Sequence, residues 1–169
     1  MSSDRNDEIR EISLKLAETL VEKNKTLAVA ESCTGGWLSK VLTDLPGSSE
    51  WFLGGVVSYS NAAKCKLLHV DKDSLNQFGA VSTEVAQQMA AGAQRVFSAS
   101  IALSTTGIAG PSGATAEKPV GLVHFATQTS TKLVTTEAKV LIGDRTQIRQ
   151  EAVLVALHII LRELAVSTR

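Results

Sequence analysis

Leu27-Ala28-Val29-Ala30-Glu31-Ser32-Cys33-Thr34-Gly35-Gly36 runs from an apolar segment too short for a helix into a cluster of small hydroxyl and glycine residues. That is the pattern of a buried strand turning into a helix. Apolar residues resume in Trp37-Leu38 and Val41-Leu42, so the helix is expected to begin near Thr34. Ser32 then falls where free backbone N–H groups converge and the helix dipole is positive. A hydroxyl at that place has two readings. It can attack an acyl carbon while neighbouring amides hold the oxyanion, or it can cap the helix, a role open to Thr34 as well.

The flanking segments extend the alternation. Ile9, Ile12, Leu16 and Leu20 recur at helical spacing and end in polar Glu22-Lys23-Asn24-Lys25, which predicts a helix before a strand at 26–30. Leu45-Pro46-Gly47-Ser48 interrupts the helix that follows Gly36. Gly55-Val56-Val57-Ser58-Tyr59 reads as a second buried strand, and Ser60 or Asn61 as the cap of a short helix carrying Lys64. Residues 71–78 read as another helical turn or two. Ser82 and Thr83 precede a helix with the stripe Val85, Met89, Val96 and Phe97, and Ile101-Ala102-Leu103-Ser104 reads as a strand leading into a glycine-rich loop. Residues 120–127 and 133–142 are rich in β-branched and apolar types around polar 128–132, as in an antiparallel pair. Gly143-Asp144-Arg145 opens a last helix that is apolar almost all round from Ala152 to Leu161, and so is buried on more than one side, in the core or against a partner subunit. Helix and strand in alternation followed by a hairpin predict an α/β fold, a three-layer α/β/α domain with a mixed β-sheet. The 169 residues suit one compact domain.

Lys plus Arg equals Asp plus Glu at 17 each, a formal net charge of zero. This gives no support for a nucleic-acid-binding or polybasic membrane surface. No apolar run reaches bilayer length and the start Met1-Ser2-Ser3-Asp4-Arg5-Asn6 is polar, so neither a transmembrane segment nor a secretory signal is expected. Cys33 and Cys65 lack paired Cys/His metal spacing, which favours reduced thiols in a cytoplasmic protein and no metal site.

Ligands in open α/β sheets collect outside the carboxyl ends of strands, so Tyr59 and Lys64 could converge on Ser32. A serine hydroxyl is a poor nucleophile until its proton has somewhere to go. His69 follows a helix, His124 lies within a strand and His158 inside the last helix, none of them in a strand-end loop. Lysine is the remaining base, usable at neutral pH only where burial or a positive helix end depresses its pKa; an isolated lysine is otherwise a solvated surface charge. Thr105-Thr106-Gly107-Ile108-Ala109-Gly110-Pro111-Ser112-Gly113 is a second strand-end loop whose amides could bind phosphate or an oxyanion. It has neither the Walker ending nor dinucleotide spacing, and an ordinary turn explains it as well. Arg145, with Asp144 as N-cap, could clamp a phosphate or carboxylate or form a surface ion pair with a neighbouring acid. Cys33 is a rival nucleophile, or a small buried apolar residue.

In order along the chain, residues 31–36, 58–64, 106–113, Lys118-Pro119-Val120-Gly121 and Gly143-Asp144-Arg145 resemble the C-terminal domain family of the competence/damage-inducible protein CinA, which includes stand-alone nicotinamide mononucleotide (NMN) deamidases. The resemblance covers about 9–164 and lacks CinA's N-terminal molybdopterin-binding-like domain. It implies hydrolysis of the NMN carboxamide to nicotinic acid mononucleotide and ammonia, in pyridine-nucleotide salvage. It further implies Ser32 as nucleophile, Lys64 as general base and Tyr59 as an orienting or proton-relaying group. Thr34, Gly35, Gly36, Asn61, Thr106, Gly107 and Gly110 would contact substrate, with Arg145 the phosphate ligand. The expected partners are a small-molecule nucleotide substrate and further copies of the chain in a homo-oligomer, a dimer, with neither nucleic acid nor membrane. No cofactor is expected, because a lysine base makes metal-activated water unnecessary. Two other readings stay open: a non-catalytic nucleotide-binding or regulatory domain, and an amidohydrolase for a different small amide.

Overall fold

In the computed structural model, which describes residues 2–129 and 135–166, the chain runs α1 (Ser2–Glu22), β1 (Leu27–Glu31), α2 (Trp37–Thr43), a 3-10 turn at Ser48–Glu50, β2 (Phe52–Val57), α3 (Asn61–Leu68), α4 (Lys72–Phe78) and α5 (Thr83–Phe97). It continues as β3 (Ile101–Gly107), β4 (Leu122–Thr129), β5 (Thr135–Val140) and α6 (Arg145–Val166). The strands form one sheet in the order β2-β1-β3-β4-β5. β1 pairs in parallel with β2 and β3, and the β3-β4-β5 pairs are antiparallel. The fold is therefore α/β with a mixed sheet. Of the polar connection expected at 128–132, Gln128 and Thr129 instead belong to β4; residues 130–132 and Leu133, the expected start of the last strand, lie outside the described residues.

All five residues of β1 are buried, because helices cover both of its faces. Successive side chains alternate between them. Leu27 and Val29 join Leu103, Phe125 and the apolar side of α6 in one core. Ala28, Ala30 and Ala102 join Val85 and Met89 of α5 in the other. The layers are thus α1, α2 and α6 on one side and α3, α4 and α5 on the other. α6 reads as apolar all round because α1 packs on it with Ile9, Leu16 and Leu20 in the shared core. No described helix is long and apolar enough to cross a membrane.

Three expectations need correction. β2 is an edge strand with half-buried and exposed residues in alternation rather than a buried strand. It keeps close packing through Gly55, where a Cβ would meet Ser39 Oγ at 2.2 Å. On α5 the buried stripe is Val85, Ala86, Met89, Ala90 and Ala93, while Val96 is exposed. α2 begins at Trp37 rather than Thr34, because Gly35 and Gly36 adopt positive φ (62° and 92°) and prolong the turn. The parallel arrangement brings the turns after β1, β2 and β3 to one end of the sheet, and the candidate site lies there.

Candidate active site

Ser60 caps α3 by accepting a hydrogen bond from Ala63 N at 3.1 Å and starts the helix just beyond the Ser58-Tyr59 turn. One turn in, Lys64 projects beneath the end of β1 and is 1% exposed. Its Nζ lies 3.0 Å from Ser32 Oγ, 2.7 Å from Ser58 O and 3.4 Å from Tyr59 O. A neutral amine has two N–H bonds and one lone pair. Two carbonyls accept the former, leaving the lone pair for the Ser32 hydroxyl proton. Among the described residues Lys64 forms no ion pair. Burial, opposed only by the Cys33 and Cys65 thiols, lowers its pKa from 10.5 to about 8. The same burial disposes of the rival nucleophile: Cys33 is 6% exposed, and its pKa is pushed up to about 12, chiefly by desolvation. It carries no thiolate at neutral pH.

The α2 amides do not serve Ser32. Glu31, fully buried at the end of β1, turns its carboxylate onto them. Oε2 accepts from Gly36 N (2.9 Å) and Leu38 N (3.1 Å), and Oε1 from Ser39 N and Ser39 Oγ (both 2.7 Å). A carboxylate at a helix N-terminus is held by both charge and hydrogen bonds. Neither Ser32 nor Thr34 caps the helix: the N-cap is Gly36, and Thr34 Oγ1 pairs with Thr105 Oγ1 at 2.8 Å. Closer to the nucleophile, the Cys33 amide is turned to its own sulfur, while the Thr34 amide has no backbone acceptor among the described residues.

A pocket of about 310 Å³ opens over Ser32 and Lys64, walled by Tyr59, Arg145 and the loop after β3. Thr106 lines it, but its hydroxyl donates to Ala80 O at 2.7 Å. Gly107 and Gly110 line it with backbone; at Gly110 a Cβ would meet Val120 Cγ1 at 2.6 Å, and φ is +75°. Asp144 and Gln147 form a reciprocal cap at the head of α6, with Gln147 N donating to Asp144 Oδ1 (2.9 Å) and Asp144 N to Gln147 Oε1 (2.8 Å). Arg145 turns outward to the pocket instead of pairing with Asp144. Its Nη1 donates to Gly110 O (2.7 Å) and its Nη2 to the Tyr59 hydroxyl (3.0 Å). Tyr59 thus gives its carbonyl to Lys64 and its hydroxyl to Arg145.

The structure brings Ser32, Lys64, Tyr59, Thr106, Gly107, Gly110 and Arg145 together, and leaves outside three sequence candidates and the side chain of a fourth, Thr34. Gly35 and Gly36 line a different hollow behind the loop, Thr34 is buried against Thr105, and Asn61 faces the groove between α3 and α4. The histidines are elsewhere: His69 ends α3, His124 pairs with Thr83 Oγ1 and His158 bonds to Leu154 O. No group of three or more His, Cys, Asp or Glu among the described residues could hold a metal ion. Sequence reasoning missed Glu31 as the α2 cap and Arg149, which donates from Nε to Cys33 O (3.1 Å) and from Nη2 to Thr34 O (2.8 Å). The signal for Arg149 was its spacing, one helical turn beyond Arg145.

Comparison with known proteins agrees with this fold. The family model of the CinA C-terminal domain matches residues 9–164. The chain is 43% identical over 153 residues to the nicotinamide-nucleotide amidohydrolase PncC of Escherichia coli strain K12, covering 90% of this chain and 93% of that protein. It is 49% identical over 149 residues to the CinA-like protein of Syntrophomonas wolfei, covering 88% of this chain but 36% of that protein. It likewise spans 37% of the length of relatives from Thermoanaerobacter. The crystal structure of competence/damage inducible protein CihA from Agrobacterium tumefaciens superposes with a TM-score of 0.89 at 40% identity, over 94% of this chain and 96% of that one.

Proposed function

The chain belongs to the CinA C-terminal domain family, and from that premise we propose that it hydrolyses the carboxamide of NMN to nicotinic acid mononucleotide and ammonia, in pyridine-nucleotide salvage. The observation that carries the reading is the 3.0 Å approach of Lys64 Nζ to Ser32 Oγ, made by an amine whose pKa burial lowers to about 8. A pocket that only binds a nucleotide needs no hydroxyl–amine pair. The activity named for the E. coli relative supports the substrate class.

In this mechanism Ser32 Oγ attacks the carboxamide carbon as its proton passes to Lys64 Nζ. The amide of Thr34 meets the oxyanion. Lys64 then returns the proton to the departing nitrogen, ammonia leaves, and an ester remains on Ser32. Water gives a proton to Lys64 as it attacks that ester, and the acid is released as Ser32 recovers its proton. Arg145, at the mouth, grips the phosphate, with the backbone of the loop after β3 forming the opposite wall.

The test is ammonia release from NMN, nicotinamide riboside, nicotinamide and NAD, with and without chelator. NMN is expected to be turned over far better than the others, and chelation to leave the rate unchanged. No ammonia from NMN would refute the substrate. Loss on chelation that a divalent ion restores would refute the Ser/Lys chemistry.

A further inference from the structure

α6 sends two arginines, one turn apart, to the two loops that wall the pocket. Arg145 reaches Gly110 and Tyr59. Arg149 reaches Cys33 O and Thr34 O, the two carbonyls that follow the nucleophile, and its Cζ lies 5.4 Å from the centre of the Trp37 ring. It approaches from the far side of the loop, where a hollow of about 670 Å³ opens.

We propose that Arg149 is a positioning residue for hydrolysis at Ser32, clamping the nucleophile loop from behind; the proposal rests on the Ser32/Lys64 reading above. Loop 32–37 contains two glycines at positive φ and gains its definition from what holds it. In front, Ser32 N donates to Thr105 O (2.9 Å). Beyond it, Glu31 anchors the amides from Gly36 onward. Of the three peptide planes between these anchors, those after Cys33 and Thr34 present their carbonyls to Arg149; Thr34 O also accepts from Trp37 N (3.2 Å), while Arg149 is the side chain that holds Cys33 O. In a trans peptide the N–H and C=O point in opposite directions, so holding Cys33 O on Arg149 turns Thr34 N–H to the opposite side of the loop. One guanidinium therefore sets the aim of an oxyanion donor two residues beyond the nucleophile. Lysine has three donors but no planar fork, so it loses the geometry that meets both carbonyls while stacking flat on Trp37.

The test compares wild type with Arg149→Ala and Arg149→Lys by NMN kinetics and by amide hydrogen exchange across 33–36. Arg149→Ala is expected to lower kcat about ten- to a hundredfold, the scale of a displaced reacting group, with KM changed less than about threefold. The apparent pKa of the pH profile should stay that of Lys64. Exchange at 33–36 should quicken while the rest of α6 is unchanged. Guanidinium at about 50 mM, entering through the open hollow, should restore part of kcat, and methylammonium, which lacks the fork, should not. Arg149→Lys, which keeps the stem and charge, should also lose about tenfold or more. Wild-type kcat in either variant, or unchanged exchange at 33–36 in both, would overturn the proposal. If the wild type releases no ammonia from NMN, the proposed substrate fails, while the exchange comparison still decides the clamp.

Discussion

Loop 32–37 has a hollow on each side, and they differ in kind. The hollow behind it is the larger, about 670 Å³, lined by Trp37, Val41, Arg10 and the exposed Lys40–Asp44 pair. The one in front is less than half that volume and holds a buried lysine 3.0 Å from a serine hydroxyl. Volume alone does not single out the front hollow. Chemistry needs a group held in an uncommon protonation state within reach of a nucleophile, and only the front hollow supplies it. The back hollow supplies access to the arginine that holds the loop.

The sharpest way to break this contrast is to remove the front pair. Ser32→Ala should lower kcat by about 10⁴ or more, since removing one member of a concerted pair removes its whole effect. Circular dichroism and NMN binding should stay close to wild type. Lys64→Ala should be nearly as damaging. A Ser32→Ala enzyme with wild-type kcat would place the chemistry elsewhere.

A smaller effect, of about one to two orders of magnitude, is expected at the mouth. Arg145→Ala should reduce the preference for NMN over nicotinamide riboside by about that factor in kcat/KM, the worth of a charge-assisted phosphate contact. The riboside rate should change little. Equal losses on both substrates would assign Arg145 to shaping Tyr59 and Gly110 rather than to reading phosphate.

How far the site was legible in the sequence follows from where each residue sits. Ser32 and Lys64 were readable because each lies at an element end marked by local signals: an apolar run before Ser32, a serine cap before Lys64. The parallel order of the strands then did the rest. Glu31 was not readable, because its carboxylate reaches the α2 amides across a turn whose length depends on two positive-φ glycines. Gly35 and Gly36 were misplaced for the same reason: the turn they make faces away from Ser32. β2 was misjudged because strand order is a property of the whole sheet, and its apolar Val56-Val57 looks the same at an edge as in a centre. Arg149 was not singled out, because nothing local marks it within an apolar helix; its one-turn spacing from Arg145 was the available signal.

The smallest effects belong to stability. Lys64 titrates at about 8 in the fold against 10.5 for the free side chain, so between those values the unfolded chain binds more protons. Lys64 should therefore make stability rise with pH across that window, and below it the fold carries the cost of a buried charge. Thermal melts of wild type and Lys64→Met should show the wild type gaining relative to the variant from pH 8 to 10; a constant difference would contradict the depressed pKa. Behind the loop, Lys40→Ala breaks an exposed pair and should change stability by less than about 1 kcal/mol, with kcat unchanged.

The central claim is that burial brings Lys64 to lose its proton near pH 8, so that the neutral amine prevails above that pH, and it is open to direct observation. Protein carrying ¹³C at the lysine ε-carbon can be titrated by NMR, with Lys64→Met identifying the resonance. The account predicts one ε-carbon with a midpoint near pH 8, absent from the variant, together with a rise in kcat/KM through the same midpoint. A Lys64 resonance titrating near 10.5 with the other lysines would contradict it.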